Sequence, residues 1–360
     1  MCITIPGAAS APVLDQILLA HPPVAIGVSG GKDSQAATIA TLQHLDRLGH
    51  LGPRILVHSD LGIVEWDDSI RVCRDMARHF GIELVIVRRQ AGDLMERWEA
   101  RWQSSIYRYC NLLTVTLVPC WSTPKLRFCT SELKTHIISA ELRRRFPGQL
   151  VVNVTGIRRQ ESAARAKATI YSHAKTGNLI DWRPILEWTE QEVFAAIDAS
   201  GMACHPAYRC FGMSRVSCRF CIMSSLPDLK AAARQPESTP LYRRMVGLEA
   251  DSGFAFQGGR WLGDIAPDLL DAGLRDRLMR AKQIAAVRSS IEATIPKDML
   301  YVKGWPTRPL TEDEAVFLAG VRQKITTLIG FKAHYLDPAS IQARYIELID
   351  LKEARKAKRG

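Results

Sequence analysis

The chain has 360 residues, a formal net charge of +11 and 47% hydrophobic residues. This hydrophobic fraction can build a sizeable core without disulfides, and no apolar run reaches the roughly 20 residues that span a bilayer. Residues 1–6 lack a basic segment followed by a long apolar one, so we expect a cytoplasmic protein with no secretory signal and no membrane partner. The nine cysteines are then expected to be thiols or metal ligands rather than disulfides.

The positive charge favours anionic partners such as nucleotides or nucleic acid. Much of it is local, at residues 143–145, at residues 158–159 and in the tail, residues 352–359. The tail is predicted to be a solvated helix end or a disordered basic arm.

Strand-like and helical segments alternate through the first half of the chain. Apolar runs predict strands at residues 24–28, 54–58, 82–87 and 150–155, and helical periodicity predicts helices at residues 35–48 and 67–80. A further helix is predicted to start at Glu190, because Thr189 and Glu192 form a capping box. This order predicts an α/β fold with a mostly parallel sheet flanked by helices.

The run from Ser29 to Ser34 follows the first strand and precedes the first helix. Such a turn directs backbone N–H groups and the positive end of a helix dipole at one point, which suits a phosphate. Gly30 and Gly31 let the backbone approach an anion, Lys32 adds a mobile positive charge, and Ser34 adds a hydroxyl. The run is not a Walker A loop, which would need Gly at position 26 and Ser or Thr at position 33.

Two other segments are predicted to reach the same edge of the sheet. Asp60 follows the second strand and Gly156 follows the fourth. Ligands of parallel sheets bind beyond the carboxyl ends of the strands, so we expect these segments to meet at one site.

The character of the sequence changes near residue 201. We predict a nucleotide-binding α/β domain at residues 1–200, a Cys-rich metal or cluster segment at 201–228, and a mostly helical region with the basic tail at 229–360. In the middle segment, Cys210, Cys218 and Cys221 have the close spacing that metal sites require. Zinc and an iron–sulfur cluster would both accept this spacing with a fourth ligand, whose candidates are Cys129, Cys204, His205, Cys110 and Cys120.

Residues 29–34 resemble the phosphate loop of the PP-loop ATP pyrophosphatase superfamily, which implies a Rossmann-like fold of the HUP type. Together with residues 58–62, 127–134, 155–165 and 181–189, in that order, they resemble the phosphoadenosine phosphosulfate (PAPS) reductase family within it. The turn at residues 217–221, preceded by residues 205–208, is most similar to members that serve DNA phosphorothioation or sulfur transfer to RNA.

The resemblance implies a role for each matching position. The phosphates would be held by Ser29, Gly30, Gly31, Lys32, Asp33 and Ser34, with Asp60 and Gly62 lining the pocket and with Gly156, Arg158, Glu161 and Arg165 on the far side. Lys32 and Arg158 are the catalytic candidates, because nucleotidyl transfer depends on positioning and charge stabilisation. Cys129 lies in the family's substrate- or cluster-facing region and is therefore the favoured fourth ligand beside Cys210, Cys218 and Cys221.

The leading hypothesis is an ATP-dependent sulfurtransferase. ATP with Mg²⁺ would adenylate an oxygen of an acceptor, for which nucleic acid is a candidate, and sulfur would then displace AMP. The sulfur would come from a partner of the cysteine desulfurase type or from the cysteine site, where a 4Fe–4S cluster is favoured over Zn²⁺.

Two alternatives stay open. The first is reduction of APS or PAPS to sulfite with the cysteine role moved to Cys129, which is disfavoured because no cysteine follows Cys221 and no Cys-Cys pair is present. The second is a nucleotide- or nucleic-acid-binding regulator with a structural zinc, since fold does not fix function.

Overall fold

The structure is a computed structural model and describes residues 4–174 and 178–358. It divides into two compact units, the first made of Met1–Met95 with Pro124–Ser238, the second of Glu96–Thr123 with Thr239–Gly360. Segment 96–123 thus belongs with the C-terminal helices, and neither predicted boundary, at 200 or 228, coincides with the unit boundary at 238.

The first unit contains a six-stranded sheet in the order β3-β2-β1-β4-β6-β5. All pairs are parallel except β5 with β6. The sheet is therefore mostly parallel, as the apolar runs predicted. The strands are β1 Val24–Val28, β2 Arg54–Asp60, β3 Glu83–Arg88, β4 Val151–Val154, β5 Tyr171–His173 and β6 Leu179–Trp182.

Helices cover both faces of this sheet. Side chains of α1, α2, α3 and α8 form the larger apolar core with one face, and Leu142 of α6 packs with the other. The helices that begin in this unit are α1 Pro12–Leu19, α2 Lys32–Arg47, α3 Asp67–Phe80, α4 Leu94–Cys110, α5 Phe128–Thr130, α6 His136–Arg145, α7 Ala163–Ala166, α8 Glu190–Ser200, α9 Pro206–Arg209 and α10 Leu226–Ala233.

The sequence located the first elements to within a few residues. Helix α3 has the predicted bounds, and α8 begins at Glu190 with the predicted capping box, in which Thr189 Oγ1 accepts from the Glu192 N–H at 3.2 Å. Helix α2 begins at Lys32 rather than at residue 35. The second half of the predicted phosphate loop is therefore the first turn of the helix, and the positive end of the helix dipole faces the space beyond β1.

The second unit is helical in its described part. Helix α4 continues into it from the first unit, followed by α11 Thr239–Ser252, α12 Ala272–Ala293, α13 Glu312–Ile329 and α14 Pro338–Ala357. Trp98, Trp121 and Phe256 form an edge-to-face aromatic cluster inside it, with ring centroids 5.1–6.2 Å apart. The helical C-terminal region was predicted correctly.

The ends of the chain were also the subject of predictions. The tail continues α14 as a largely exposed helix end up to Ala357, whereas Arg359 lies outside the described residues. Residues 1–3, part of the segment that argued against a secretory signal, lie outside them too. Within residues 4–174 and 178–358, no helix has both the length and the apolar character needed to cross a membrane.

Candidate nucleotide site

The phosphate loop joins β1 to α2 at the point where the sheet order reverses, with β2 on one side of β1 and β4 on the other. Gly30 has φ of 73°, and a Cβ at this position would lie 2.7 Å from the Ser69 carbonyl oxygen. The Ser34 hydroxyl closes the loop, since it accepts from the Ser29 N–H at 3.2 Å and donates to the Gly31 carbonyl at 2.8 Å. The turn is thus fixed around the N-terminus of α2, where an anion is favoured.

A cavity of about 600 Å³ lies against this loop. Nine of the residues that the sequence assigned to nucleotide binding line it: Ser29, Gly31, Lys32, Asp33, Ser34, Gly156, Arg158, Glu161 and Arg165. Gly30 makes the turn within the loop, with its positive φ, and is not among the lining residues.

Asp60 and Gly62 do not line the cavity, which differs from the expectation. Asp60 is the last residue of β2, and its carboxylate accepts from the Gly62 N–H at 2.7 Å. Gly62 has φ of 76°, and a Cβ there would lie 2.4 Å from the Asp93 side chain. These two residues shape the turn after β2, and a contact with the nucleotide stays a prediction.

The loop after β4 approaches the phosphate loop closely. A Cβ at Gly156 would lie 2.4 Å from the Asp33 carbonyl oxygen, so the close approach needs glycine. Arg158, which is buried, donates from Nε to Asp33 Oδ1 at 2.6 Å. Its own N–H donates to Glu161 Oε2 at 2.7 Å, and Glu161 also pairs with Arg165. The predicted cluster therefore consists of two ion pairs joined by a backbone hydrogen bond, and it reaches the first turn of α2 at Asp33.

Lys32 is buried and held, whereas the sequence suggested a mobile charge. Its Nζ lies 3.1 Å from Glu190 Oε1 and 3.4 Å from the Ser214 carbonyl oxygen, and 4.8 Å from the centroid of the Tyr208 ring. Its backbone N–H donates to the Tyr208 hydroxyl at 3.0 Å. An ammonium group fixed in this way acts as a positioned charge, which costs little further ordering when an anion binds.

Glu65 adds a second charged pair to the cavity. Its Oε2 lies 3.1 Å from Nε2 of buried His58, whose Nδ1 lies 3.0 Å from the Val28 carbonyl oxygen. Both ring nitrogens therefore face acceptors, which requires a protonated imidazolium. Burial alone would lower the pKa of His58, but the hydrogen bonds and charges of Cys73 and Glu65 outweigh burial and raise the pKa to about 10.

Sequence reasoning missed several lining residues. They come from the π turn before α6, from α8, from α9 and from the segment after α9: Lys134, Glu190, Tyr208, Ser214, Arg215, Val216 and Ser217. Glu190 was seen only as a helix start and Tyr208 only as part of a family-like segment. Their positions depend on long-range contacts, so the local pattern carried no signal for them.

Two of the predicted metal ligands, Cys129 and Cys221, lie near enough to a third, Cys218, to act on it electrostatically. Cys218 lines the cavity; burial raises the pKa of its thiol, the charge of Cys221 raises it further, and Cys129 acts in the same direction. Cys210 is exposed. Among the described residues, no group of three or more His, Cys, Asp or Glu side chains stands close enough to hold a metal ion. The residues therefore fit the predicted metal or cluster only in part.

The other fourth-ligand candidates have different surroundings. His205 is buried at the start of α9, where its Nδ1 accepts from the Ala207 N–H at 3.1 Å and its Nε2 lies 3.3 Å from the Ser69 hydroxyl. Burial lowers its pKa to about 4, so its ring is neutral. Cys204 is half-buried, and Cys110 and Cys120 belong to the second unit.

The fold and this cavity define an α/β protein with a glycine-rich anion loop at the switch point of its sheet. The chain belongs to the family of the phosphoadenosine phosphosulfate reductase domain, whose model matches residues 23–223. It is 29% identical over 239 residues to an uncharacterized 37.8 kDa protein of Escherichia phage 186, covering 59% of this chain and 71% of the phage protein.

Two solved structures are similar to part of the chain. One is a PAPS reductase from Candida auris, at 14% identity and a TM-score of 0.37, covering 57% of this chain and 86% of that one. The other is a U34-tRNA thiolase from Methanococcus maripaludis with its 4Fe–4S cluster, at 16% identity and a TM-score of 0.37, covering 64% and 72%. At these scores neither adds to the family assignment.

Proposed function

We propose that this protein is an ATP-dependent enzyme that adenylates an acceptor and then replaces the adenylate with sulfur. The nucleotide phosphates would occupy the cavity at the N-terminus of α2. The acceptor is proposed to be a nucleic acid, in keeping with the net charge of +11. The sulfur donor is proposed to be a partner protein of the cysteine desulfurase type in the cytoplasm.

One observation carries this proposal: the Cys218 thiol lines the same cavity as the phosphate loop. Anion binding at the loop alone would fit any nucleotide-binding protein. A cysteine among the residues that line this cavity adds a sulfur carrier beside an activated substrate. The cavity volume of about 600 Å³ lies in the range of small-molecule sites.

The proposed reaction has two steps. An acceptor oxygen attacks the α-phosphorus of ATP, and pyrophosphate leaves with the bonding electron pair. A sulfur nucleophile then attacks the activated carbon, and AMP leaves with the former acceptor oxygen. Lys32, the positive end of the α2 dipole and Arg158 would stabilise the charge that grows on the leaving pyrophosphate.

The ion pairs of the cavity carboxylates indicate how the proposed Mg²⁺ would be held. Asp33 pairs with Arg158, Glu161 with Arg165, and Glu190 with Lys32, while Glu65 pairs with His58. Each carboxylate already has a basic partner. Mg²⁺ would therefore be held chiefly by phosphate oxygens and would enter with the nucleotide, as Mg²⁺ commonly does. Bound there, it would neutralise phosphate charge.

The proposed cluster has a narrower basis. Cys129, Cys218 and Cys221 would hold iron and sulfide only after their thiols approach one another, because among the described residues no three such side chains stand close enough to hold a metal ion. Such a cluster would supply a site for binding or delivering sulfur. The cysteines themselves would hold sulfur near the adenylated acceptor.

The test is Mg²⁺-dependent exchange of labelled pyrophosphate into ATP, with total tRNA and with genomic DNA as acceptors. Wild type should catalyse exchange. Lys32→Met should lose it by about 100-fold, in the range seen when one transition-state stabilising donor is removed. The matched control is Lys230→Met, because Lys230 is an exposed lysine on α10 and does not line the cavity. Equal exchange in Lys32→Met and Lys230→Met would contradict the proposed role of the loop.

A second candidate function is the reduction of APS or PAPS to sulfite. The family match itself favours it, and the Cys218 thiol would again face the loop that holds the nucleotide. Purified protein with PAPS and a dithiol reductant would then release sulfite. Sulfite release without ATP–pyrophosphate exchange would favour the reductase over the sulfurtransferase.

A further inference from the structure

Tyr208 contacts the phosphate loop with its hydroxyl group. The oxygen accepts one hydrogen bond from the Lys32 N–H at 3.0 Å and another from the Val216 N–H at 3.3 Å. The ring is fixed as well, with Lys32 Nζ 4.8 Å from its centroid and the Phe194 ring edge-on at 5.6 Å. The hydroxyl therefore has a defined position beside the first helical residue of α2.

The O–H donor of Tyr208 is not used by these two hydrogen bonds. A phenol oxygen offers two lone pairs and one O–H donor, and the two backbone N–H groups use both lone pairs. Among the residues that the structure describes, no hydrogen bond from the Tyr208 O–H is formed. Tyr208 lines the cavity, and its oxygen lies only 3.3 Å from where a Cβ of Gly31 would be, so the donor stands at the loop.

We propose that Tyr208 is a phosphate-binding residue whose O–H donates a hydrogen bond to an oxygen of the bound pyrophosphate group. This rests on the proposed function, in which the nucleotide phosphates occupy this cavity. The two N–H donors polarise the hydroxyl, which strengthens its own donation to an anion. The amide of Lys32 thereby acts on the anion through the tyrosine.

The same hydroxyl also links the loop to the segment that carries Cys218. Val216 lies two residues before Cys218, and Asp228 anchors the start of this segment, accepting from the Ser214 N–H at 2.7 Å and from its hydroxyl at 2.8 Å. Tyr208 is thus expected to recognise the phosphates themselves, whereas Asp228 only positions the segment. This difference provides the control for the experiment.

The experiment is calorimetric titration of wild type and Tyr208→Phe with inorganic pyrophosphate, with ATP and with adenosine. Removing a hydrogen bond to a charged group typically weakens binding about tenfold or more. Pyrophosphate and ATP should therefore bind Tyr208→Phe at least about tenfold more weakly, whereas adenosine, which has no phosphate, should bind both proteins equally. Tyr107→Phe, which removes an exposed hydroxyl, should match wild type.

Asp228→Asn is the control for a purely structural role. It loosens the other anchor of the segment and keeps the Tyr208 hydroxyl. Pyrophosphate affinity within about threefold of wild type in this variant, with the loss in Tyr208→Phe, supports direct donation. An equal loss in both variants, or a parallel loss of adenosine binding, would show that Tyr208 acts only on the fold and would overturn the proposal.

The two proposals fail differently. If wild type binds pyrophosphate and ATP and Tyr208→Phe binds them equally well, the role of Tyr208 is refuted and the proposed function stands. If wild type binds neither ligand, the proposed function is refuted, and the assignment of Tyr208 as a phosphate ligand is refuted with it.

Discussion

Gly156→Ala tests the contact between the β4 loop and the first turn of α2. An added Cβ would lie 2.4 Å from the Asp33 carbonyl oxygen, 2.7 Å from the Asp33 carbonyl carbon and 3.0 Å from the Ser34 nitrogen. All three atoms are backbone, so no side chain can rotate away. The methyl group must push the β4 loop from the helix by at least 0.6 Å to reach the 3.0 Å that real Cβ atoms need.

The size of the effect follows from the rigidity of the neighbours. Inserting one carbon into a tightly packed region costs about 1–3 kcal/mol. For a unit of this size each kcal/mol corresponds to a shift in melting temperature of about 2–4 °C. The same displacement separates Arg158 from Asp33, so we also expect ATP to bind at least about tenfold more weakly, a loss of about 1.4 kcal/mol.

The assay is amide hydrogen exchange read on peptides of β1 and β4, with ATP affinity measured on the same samples. Gly247→Ala is the matched control, because Gly247 lies in helix α11 and a Cβ there would meet nothing within 4 Å. It should stabilise its own helix by about 0.5–1 kcal/mol and leave ATP binding unchanged. Protection and ATP affinity in Gly156→Ala equal to those of wild type would refute the steric argument.

Three further predictions concern other sites. The pKa of His58 in the folded protein is about 10, above its ordinary value of 6.5. The stability that protonated His58 contributes to the folded protein is therefore complete below pH 6.5 and is lost as the pH rises to about 10. Urea titrations over that interval should show wild type losing at least about 1 kcal/mol more than His58→Gln. Glu249 accepts three backbone N–H bonds in the second unit, at 2.7–3.0 Å. Glu249→Gln should cost that unit about 1–3 kcal/mol, against nearly nothing for exposed Glu353→Gln. Metal uptake from zinc, or from iron and sulfide without oxygen, should fall several-fold in Cys218→Ser and stay unchanged in Cys210→Ser, as judged by the metal-to-protein ratio.

The sheet and its phosphate loop could be predicted because their signals are local. Buried parallel strands read as short apolar runs, and β1, β2, β3 and β4 were located in this way. β5 and β6 were missed because they contain polar residues, Ser172 and His173 in β5 and Asp181 in β6, and so form no apolar run. The four residues of β4 were located because they belong to the apolar run at residues 150–155.

The two-unit division was beyond sequence reasoning for a related reason. Residues 96–123 pack with the C-terminal helices although more than 100 residues separate them in the chain. The Trp121 indole, for example, donates to the Phe254 carbonyl at 2.8 Å. A domain boundary can be recognised from composition only where the composition changes along the chain. Residues 96–123 begin with an ordinary amphipathic helix, so their composition does not mark them as part of a second unit.

The candidate site also has one part that the sequence predicted and one part that it did not. The loop at residues 29–34 is a continuous motif, so its spacing located it. The other part is made by residues 205–218, which pack against α2 through contacts such as the hydrogen bond from the Lys32 N–H to the Tyr208 hydroxyl. The spacing of its cysteines predicted only that this segment binds a metal or a cluster. Its physical effect on the loop is broader, because the same segment fixes Lys32 at the Ser214 carbonyl and brings Cys218 to the cavity. The motif spacing therefore named the candidate residues, while the long-range hydrogen bonds determine how those residues are arranged around the cavity.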